Sequence, residues 1–152
     1  MGSPGSLETS PTHTHPQLPS QSHSSSQLWS TRPLILSPPI TLNNKPLTSP
    51  SPSPFPRYGP AVPAAATPSG DSFLFGGLVR ETVRNDLYLF STRDLSFTLL
   101  QTAGERPSPR VGHASALTSS MLVVWGGDTL TTQLDNTLYL LNLGMSTRKC
   151  SK

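Results

Sequence analysis

Phe73-Leu74-Phe75-Gly76-Gly77 returns 50 positions later as Val123-Val124-Trp125-Gly126-Gly127, and this pair of stretches decides the fold. Each copy joins an apolar run of strand length to two glycines, which adopt positive φ angles without the strain of a Cβ atom. One copy alone would be weak information. The return of the same pattern at a fixed distance indicates a structural repeat.

Two further blocks recur around this pair in the same order. Pro56-Arg57-Tyr58-Gly59 returns as Pro109-Arg110-Val111-Gly112, 53 positions later. Asn85-Asp86-Leu87-Tyr88-Leu89 returns as Asn136-Thr137-Leu138-Tyr139-Leu140, 51 positions later. Three blocks in constant order and at nearly constant distance are specific for a repeated supersecondary unit.

The apolar residues after position 54 form short runs bounded by Gly, Pro, Asn and Asp. The runs at 73–75, 87–90, 97–100, 121–125 and 138–141 have strand length and are rich in aromatic and aliphatic residues. No segment shows an apolar stripe at helical spacing. The runs are nearly continuous, which predicts strands buried on both faces in stacked sheets. The fold class is therefore predicted as all-β.

The blocks and their spacing resemble the kelch repeat, in which about 50 residues form one four-stranded blade of a β-propeller. The resemblance implies two incomplete blades of antiparallel strands at 55–105 and 106–143. We expect a disordered tail before them at 1–54 and a polar, basic tail after them at 144–152.

The likeness is closer to one group, the fungal cell-end marker kelch proteins, which are polarity scaffolds with an N-terminal propeller. It rests on the blocks quoted above together with the stretches 78–81, 107–117 and 125–129. The sequence departs from the pattern of this group in two places. Pro60 stands where the second copy has His113, and the segment 144–152 has no aromatic fourth strand.

The resemblance also implies a set of structural residues. The Pro-Arg-x-Gly block precedes the first strand, the glycine pair ends the second and the Asn-x-x-Tyr block forms the third. Phe97 replaces the usual tryptophan of the fourth strand and is expected to fill the gap between neighbouring sheets. Arg57 and Arg110 are expected to bond carbonyls between strands and blades, and ligand binding is the alternative. The set is Arg57, Gly59, Gly76, Gly77, Asn85, Tyr88, Phe97, Arg110, Gly112, His113, Gly126, Gly127, Asn136 and Tyr139.

Composition predicts disorder in the tail at 1–54. It holds 11 of the 17 prolines and three charged residues, so it buries too little surface to offset chain entropy. Its apolar patches at 33–36 and 40–42 are split by prolines and are predicted to be too short for a paired strand. A match to the myristoylation pattern at Gly2 is expected by chance. Six Ser-Pro pairs are candidate sites for a proline-directed kinase, although composition also explains them: Ser3-Pro4, Ser10-Pro11, Ser37-Pro38, Ser49-Pro50, Ser51-Pro52 and Ser53-Pro54.

Charge and residue inventory argue against several functions. The net charge is only +3 and the basic residues are scattered, so we predict no nucleic-acid binding. The sequence lacks a run of about 20 apolar residues, so we also predict no stable membrane anchor. His113 is the one histidine of the repeats and Cys150 the one cysteine. We therefore predict no catalytic residues, metal site or cofactor. The alternative is a fragment of a kelch-type oxidase that lacks its active site.

The predicted function is a non-catalytic protein-interaction module of a polarity scaffold. Protein partners would bind through propeller loops, in the cytoplasm and at the cell cortex or cell tip. Fewer than two full blades leave one face of each terminal sheet exposed to water. We therefore expect a fragment of marginal stability. Completion by other propeller blades and a non-functional truncated product are the alternatives.

Overall fold

The computed structural model describes residue 2 and residues 29–41, 48–131 and 135–143. The chain divides into two units, residues 1–32 and 33–152. The described residues of the first unit, among them Trp29, are exposed. Strands without helices make up the regular structure in the described part of the second unit. Accordingly, the described ranges contain no helix that is long and apolar enough to cross a bilayer.

Seven strands form two sheets, which confirms the predicted all-β class. The first sheet has the order β1-β4-β3-β2 and the second the order β5-β6-β7. All neighbours are antiparallel except β1 and β4, which are parallel. The five predicted runs coincide with β2, β3, β4, β6 and β7. The strands are β1 (Ile35–Leu36), β2 (Asp71–Val79), β3 (Thr82–Ser91), β4 (Ser96–Leu100), β5 (Ala114–Leu117), β6 (Met121–Trp125) and β7 (Leu138–Asn142).

In each repeat, the segment that contains and follows the Pro-Arg-x-Gly block pairs with the next strand in the same way. Only in the second repeat does this segment form a regular strand, β5. The bridges Tyr58–Leu78 and Ala61–Phe75 of the first repeat correspond to the pairs Val111–Asp128 and Ala114–Trp125 of the second. In the first repeat Pro60 and Pro63 have no N–H to donate, so the ladder is reduced to isolated bridges.

The main core lies between the two sheets. Successive strand residues point to opposite faces, so Phe73 and Phe75 of β2 meet Leu122 and Val124 of β6, while Leu74 points away. Leu143, Leu87 and the partly buried Tyr139 belong to the same cluster. The two repeats therefore stack face to face, as blades of a propeller do.

A second cluster covers the face of the first sheet that points away from the second sheet. Leu74, Tyr88 and Phe97 are buried there, and Leu36 packs against them. Phe55 meets Phe97 edge to face with the ring centroids 5.5 Å apart. The expectation that this face would be exposed to water is wrong, because the chain just before the first repeat folds back over it.

Part of the segment expected to be disordered also pairs with this sheet. β1 is parallel to β4, with Ile35 opposite Ser96, and Ile40 bridges Leu100. The prediction that these patches are too short to pair is wrong, because an exposed strand edge offers N–H and C=O groups to any extended segment that reaches it. The rest of the predicted tail, at 1, 3–28 and 42–47, lies outside the described residues, as does 144–152.

The outer face of the second sheet is different. β7 alternates between exposed and half-buried residues. Trp125, Leu138 and Leu140 are 41%, 57% and 58% exposed on this face. The strands of the second sheet are therefore buried on one side only, as was expected for a terminal blade. The prediction from the continuous apolar runs, that the strands are buried on both faces, is wrong for β6 and β7.

Candidate functional site

The joint between the two sheets is formed by the segment 107–113, which leads into β5. Its backbone hydrogen-bonds across to the first repeat, where the partners are Gly59, Gly77 of β2, and Arg84 and Asn85 of β3. Four hydrogen bonds make the joint: Gly77 N to Arg110 O at 2.8 Å, Arg110 N to Arg84 O at 3.1 Å, Gly112 N to Gly59 O at 2.9 Å and Asn85 Nδ2 to Pro107 O at 3.2 Å. The repeated motif thus supplies the contacts that hold one blade to the next.

In the first repeat, a buried guanidinium ties the segment at 54–57 to β2 and β3. Arg57 pairs with Asp86, with Nη1 to Oδ1 at 2.5 Å and Nη2 to Oδ2 at 3.0 Å. It also donates to the carbonyls of Gly76 at 2.6 Å and Pro54 at 2.9 Å. Its Cζ atom lies 5.4 Å from the ring centroid of Tyr88. Burial, and next the Asp86 charge, raise the pKa of Tyr88 above its ordinary value.

The second repeat builds the same arrangement around Arg110, which is fully buried. Arg110 Nη2 donates to Asp135 Oδ2, and Nη1 donates to the Gly126 carbonyl at 2.9 Å. Its Cζ atom lies 5.1 Å from the ring centroid of Tyr139, whose hydroxyl donates to Asp135 at 3.2 Å. The remaining donors go to Ser108. The Arg110 guanidinium holds the pKa of Asp135 well below its usual range.

Both arginine side chains donate to carbonyls of their own repeat, whereas the bonds from Arg110 to the other repeat are made by its backbone. Sequence reasoning missed their acidic partners. Asp86 follows Asn85, whereas Asp135 precedes Asn136, so aligning the two copies places Asp86 against Thr137. An acidic residue adjacent to asparagine in both copies was the available signal.

The glycine pairs occupy equivalent places in the two repeats and have positive φ angles between 60° and 94°. They make room for His113. A Cβ atom on Gly127 would lie 2.6 Å from the Cβ of His113, and one on Gly76 would lie 2.8 Å from its Cε1. His113 is thus buried between the two repeats, with its ring 5.4 Å from the ring of Phe75.

His113 is neutral in the folded protein near pH 7. Burial lowers its pKa to about 4, the backbone of Phe75 opposes this, and the Arg110 charge lowers it further. An uncharged ring can pack between strands without the cost of burying an ion. The geometry fits a packing residue at the joint.

The remaining motif residues are not equivalent in the two copies. Asn85 hydrogen-bonds the joint, whereas Asn136 is exposed. Phe97 stacks on Phe90 with a centroid distance of 4.6 Å. It lies beneath Phe55 on the covered face of the first sheet and not between the two described sheets. Gly59 contacts the second repeat, since a Cβ there would lie 2.7 Å from Val111 Cγ2.

A cavity of about 180 Å³ opens between the sheets beneath the loop at 102–107. Its walls combine apolar side chains such as Leu87 and Leu122 with Glu105 and Arg106 from the loop. Among the described residues, no group of three His, Cys, Asp or Glu side chains is placed to hold a metal ion. The arrangement as a whole stabilises strand packing and leaves the loops exposed.

Comparison with known proteins agrees with this architecture. The family model described as the KLHDC2/KLHL20/DRC7 Kelch-repeats domain matches residues 63–152. The chain belongs to the kelch-repeat family. Kelch repeats generally form protein-interaction domains, and most of the similar proteins carry names that denote no enzyme.

Two fungal relatives are similar to the chain. It is 40% identical over 91 residues to Tip elongation aberrant protein 1 of Schizosaccharomyces pombe, covering 57% of the chain and 8% of that protein. It is 36% identical over 99 residues to Kelch repeat-containing protein 2 of Saccharomyces cerevisiae, covering 60% of the chain and 11% of that protein.

A third relative is named as a regulator of a GTPase. The Rho GTPase-activating protein gacHH of Dictyostelium discoideum is 33% identical over 78 residues, which are 47% of the chain and 5% of that protein. The chain therefore spans between 5% and 11% of the length of these relatives.

Proposed function

We propose that this chain is a non-catalytic protein-interaction module that acts in cell polarity, in the cytoplasm at the cell cortex or cell tip. The single observation that carries the proposal is the 40% identity to Tip elongation aberrant protein 1, whose name refers to growth at cell tips. The proposal transfers a role in polarity from a relative of which the chain spans 8%.

The distribution of polar groups supports a binding module. Arg57 and Arg110 are used inside the fold, in contacts between strands. Arg93 and Asp94 are exposed in the turn between β3 and β4. Exposed charged side chains also lie in the β2–β3 turn at 80–81 and in the loop at 105–106. Both reach the same end of the first sheet, because Leu87 of β3 pairs with Leu100, where β4 ends. We infer that this end, the loop end, is where a protein partner binds.

The absence of catalysis is part of the proposal. Two carboxylates are ion-paired, Asp86 with Arg57 and Asp135 with Arg110. His113 is buried as a neutral ring, and neither of its ring nitrogens hydrogen-bonds to the described residues. The GTPase-activating relative matches over 5% of its length, so the activity in its name stays with that protein. A copper-dependent oxidation assay on the pure chain tests the oxidase alternative, and we expect no oxidation above a copper-only blank.

A chimera tests the polarity role. The segment of Tip elongation aberrant protein 1 that aligns with this chain is replaced by the matching segment of this chain, and cell shape and tip growth are recorded in S. pombe. We expect growth to stay at the tips. A chimera present at normal abundance whose cells grow away from the tips would contradict the proposal.

The loop end is tested by charge reversals in that chimera, made at Arg80 and Arg106 together and at each one singly. Arg80→Glu combined with Arg106→Glu should impair tip growth, since both side chains are exposed at the loop end. Arg93→Glu is the control, because its side chain is 70% exposed in the turn at the opposite end of the sheet. Equal effects of the two changes at equal abundance would reject the loop end as the binding surface.

A further inference from the structure

A strap of residues 33–41 lies along the outer edge of β4 and continues the first sheet by short parallel pairing. The edge of β4 would otherwise present unpaired N–H and C=O groups. Outside β1 the strap is attached by three backbone hydrogen bonds: Ser37 N to Phe97 O at 3.0 Å, Ile40 N to Leu99 O at 2.9 Å and Gln101 N to Ile40 O at 2.9 Å.

The strap has a gap in its middle. Pro38 and Pro39 have no N–H, and the N–H of Leu99 on β4 faces the hydroxyl of Ser51 in place of a strap carbonyl. Leu99 N donates to Ser51 Oγ at 2.9 Å, and Ser51 Oγ donates to the Ser37 carbonyl at 2.5 Å. Ser51 N donates to the same carbonyl at 2.9 Å. One serine thus joins the strap to β4.

Ser51 differs from its neighbours of the same local sequence. Ser49, Ser51 and Ser53 each precede a proline. Ser49 and Ser53 are exposed, whereas Ser51 is 2% exposed. The Ser53 hydroxyl makes local contacts with Phe55: it donates to the carbonyl at 2.9 Å and accepts from the N–H at 3.2 Å. The structure therefore singles out one Ser-Pro pair as the one whose hydroxyl fastens the strap.

We propose that Ser51 is a phosphorylation site of a proline-directed kinase and that its modification releases the strap from β4. The Ser51 oxygen forms a bond to the γ-phosphorus of a nucleoside triphosphate. The bond from that phosphorus to the β–γ bridging oxygen breaks, the nucleoside diphosphate leaves and the hydroxyl proton passes to the kinase's base. Because Ser51 is buried, the transfer follows transient opening of the strap.

The phosphate cannot occupy the gap that the hydroxyl fills. The esterified oxygen has no proton to donate to the Ser37 carbonyl, and the group adds roughly −1.5 to −2 charges and three acceptor oxygens. These oxygens would face a carbonyl oxygen in a buried place, which is repulsive and costs desolvation. The strap therefore leaves, and the edge of β4 becomes available to another extended segment.

Matched variants of the full chain test the release. Ser51→Glu and Ser53→Glu add the same charge two residues apart, and amide hydrogen exchange is measured at residues 35–41, 71–91, 97–101 and 121–125. We expect Ser51→Glu to speed exchange at Ser37, Ile40 and Leu99 by about tenfold or more, as the loss of buried hydrogen bonds implies. Ser53→Glu should leave these rates within about twofold of the wild-type rates.

The kinase reaction provides the second measurement. With a purified proline-directed kinase and ATP, we expect Ser53 to be modified first and Ser51 more slowly, and strap exchange should rise with the modified fraction of Ser51. Equal exchange rates in the two glutamate variants would overturn the proposal. Faster exchange throughout β2 and β3 in Ser51→Glu would also overturn it, because Ser51 would then be needed for the whole sheet.

Discussion

The two repeats share their motif contacts and differ in how they are covered. In both, a buried arginine pairs with an aspartate, donates to the first carbonyl of the glycine pair and lies over a tyrosine ring. In the first repeat, residues of the segments 33–41 and 51–55 cover the outer face and edge of the sheet, while the second repeat exposes Trp125, Leu138 and Leu140. The motif therefore determines how the strands of a blade are held together, and segments outside the motif determine whether the blade is buried.

Replacing the arginines compares the two clusters and should have the largest effect. Arg110→Met removes every bond of a fully buried guanidinium, so we expect the free energy of unfolding to fall by about 4 kcal/mol. Arg57→Met should cost about 3 kcal/mol, because Asp86 keeps Arg84 at 3.5 Å as a second cation. Urea unfolding of the full chain measures both. A larger loss for Arg57→Met would show that the second cation does not matter.

The glycine pair separates backbone strain from a steric clash. Gly126→Ala places a Cβ in open space at a φ of 68°, so a loss of about 1 kcal/mol is expected. Gly127→Ala places it 2.6 Å from the Cβ of His113 and should cost about 3 kcal/mol. Urea midpoints measure the difference. Equal losses would mean that the joint can move away from His113.

Acid should weaken the joint through His113. Its pKa is about 4 in the folded protein and 6.5 when unfolded, so the unfolded chain binds more protons between these values. Stability should be complete above pH 6.5 and fall by about 2 kcal/mol as the pH drops to 4. In His113→Leu this slope should disappear. The lowered pKa of Asp135 acts separately, below its ordinary value of 3.8. If the stability of His113→Leu still fell between pH 6.5 and 4, the pH dependence would come from other titratable groups.

The asparagines should give the smallest effect. Asn85→Ala removes the hydrogen bond to the Pro107 carbonyl and should cost about 1 kcal/mol. Asn136→Ala, at an exposed position, should change stability by less than about 0.5 kcal/mol. Thermal unfolding of both variants measures this. Equal losses would indicate that Asn136 has a structural partner as Asn85 does.

Most of the fold could be predicted, since the five apolar runs became strands and the glycine pairs took equivalent places. The pairing of the strap with β4 could not be predicted, because a strand of two residues is too short to show an alternating pattern in the sequence. The candidate site was predicted in part. Arg57 and Arg110 were identified, but Asp86 and Asp135 were missed because their carboxylates reach equivalent places from shifted positions.

Local sequence alone determined the strands and the turns between them, because apolar runs of strand length and glycines at positive φ restrict the backbone wherever they occur. Only the tertiary structure decided that His113 lies between the two glycine pairs, that Phe97 lies under Phe55, and that Ser51 is buried while Ser53 is exposed. These differences depend on which distant segment comes to lie against each strand. The serines at 49, 51 and 53 share one local pattern, and Ser51 differs from the other two because it is buried against Leu99 at the edge of β4.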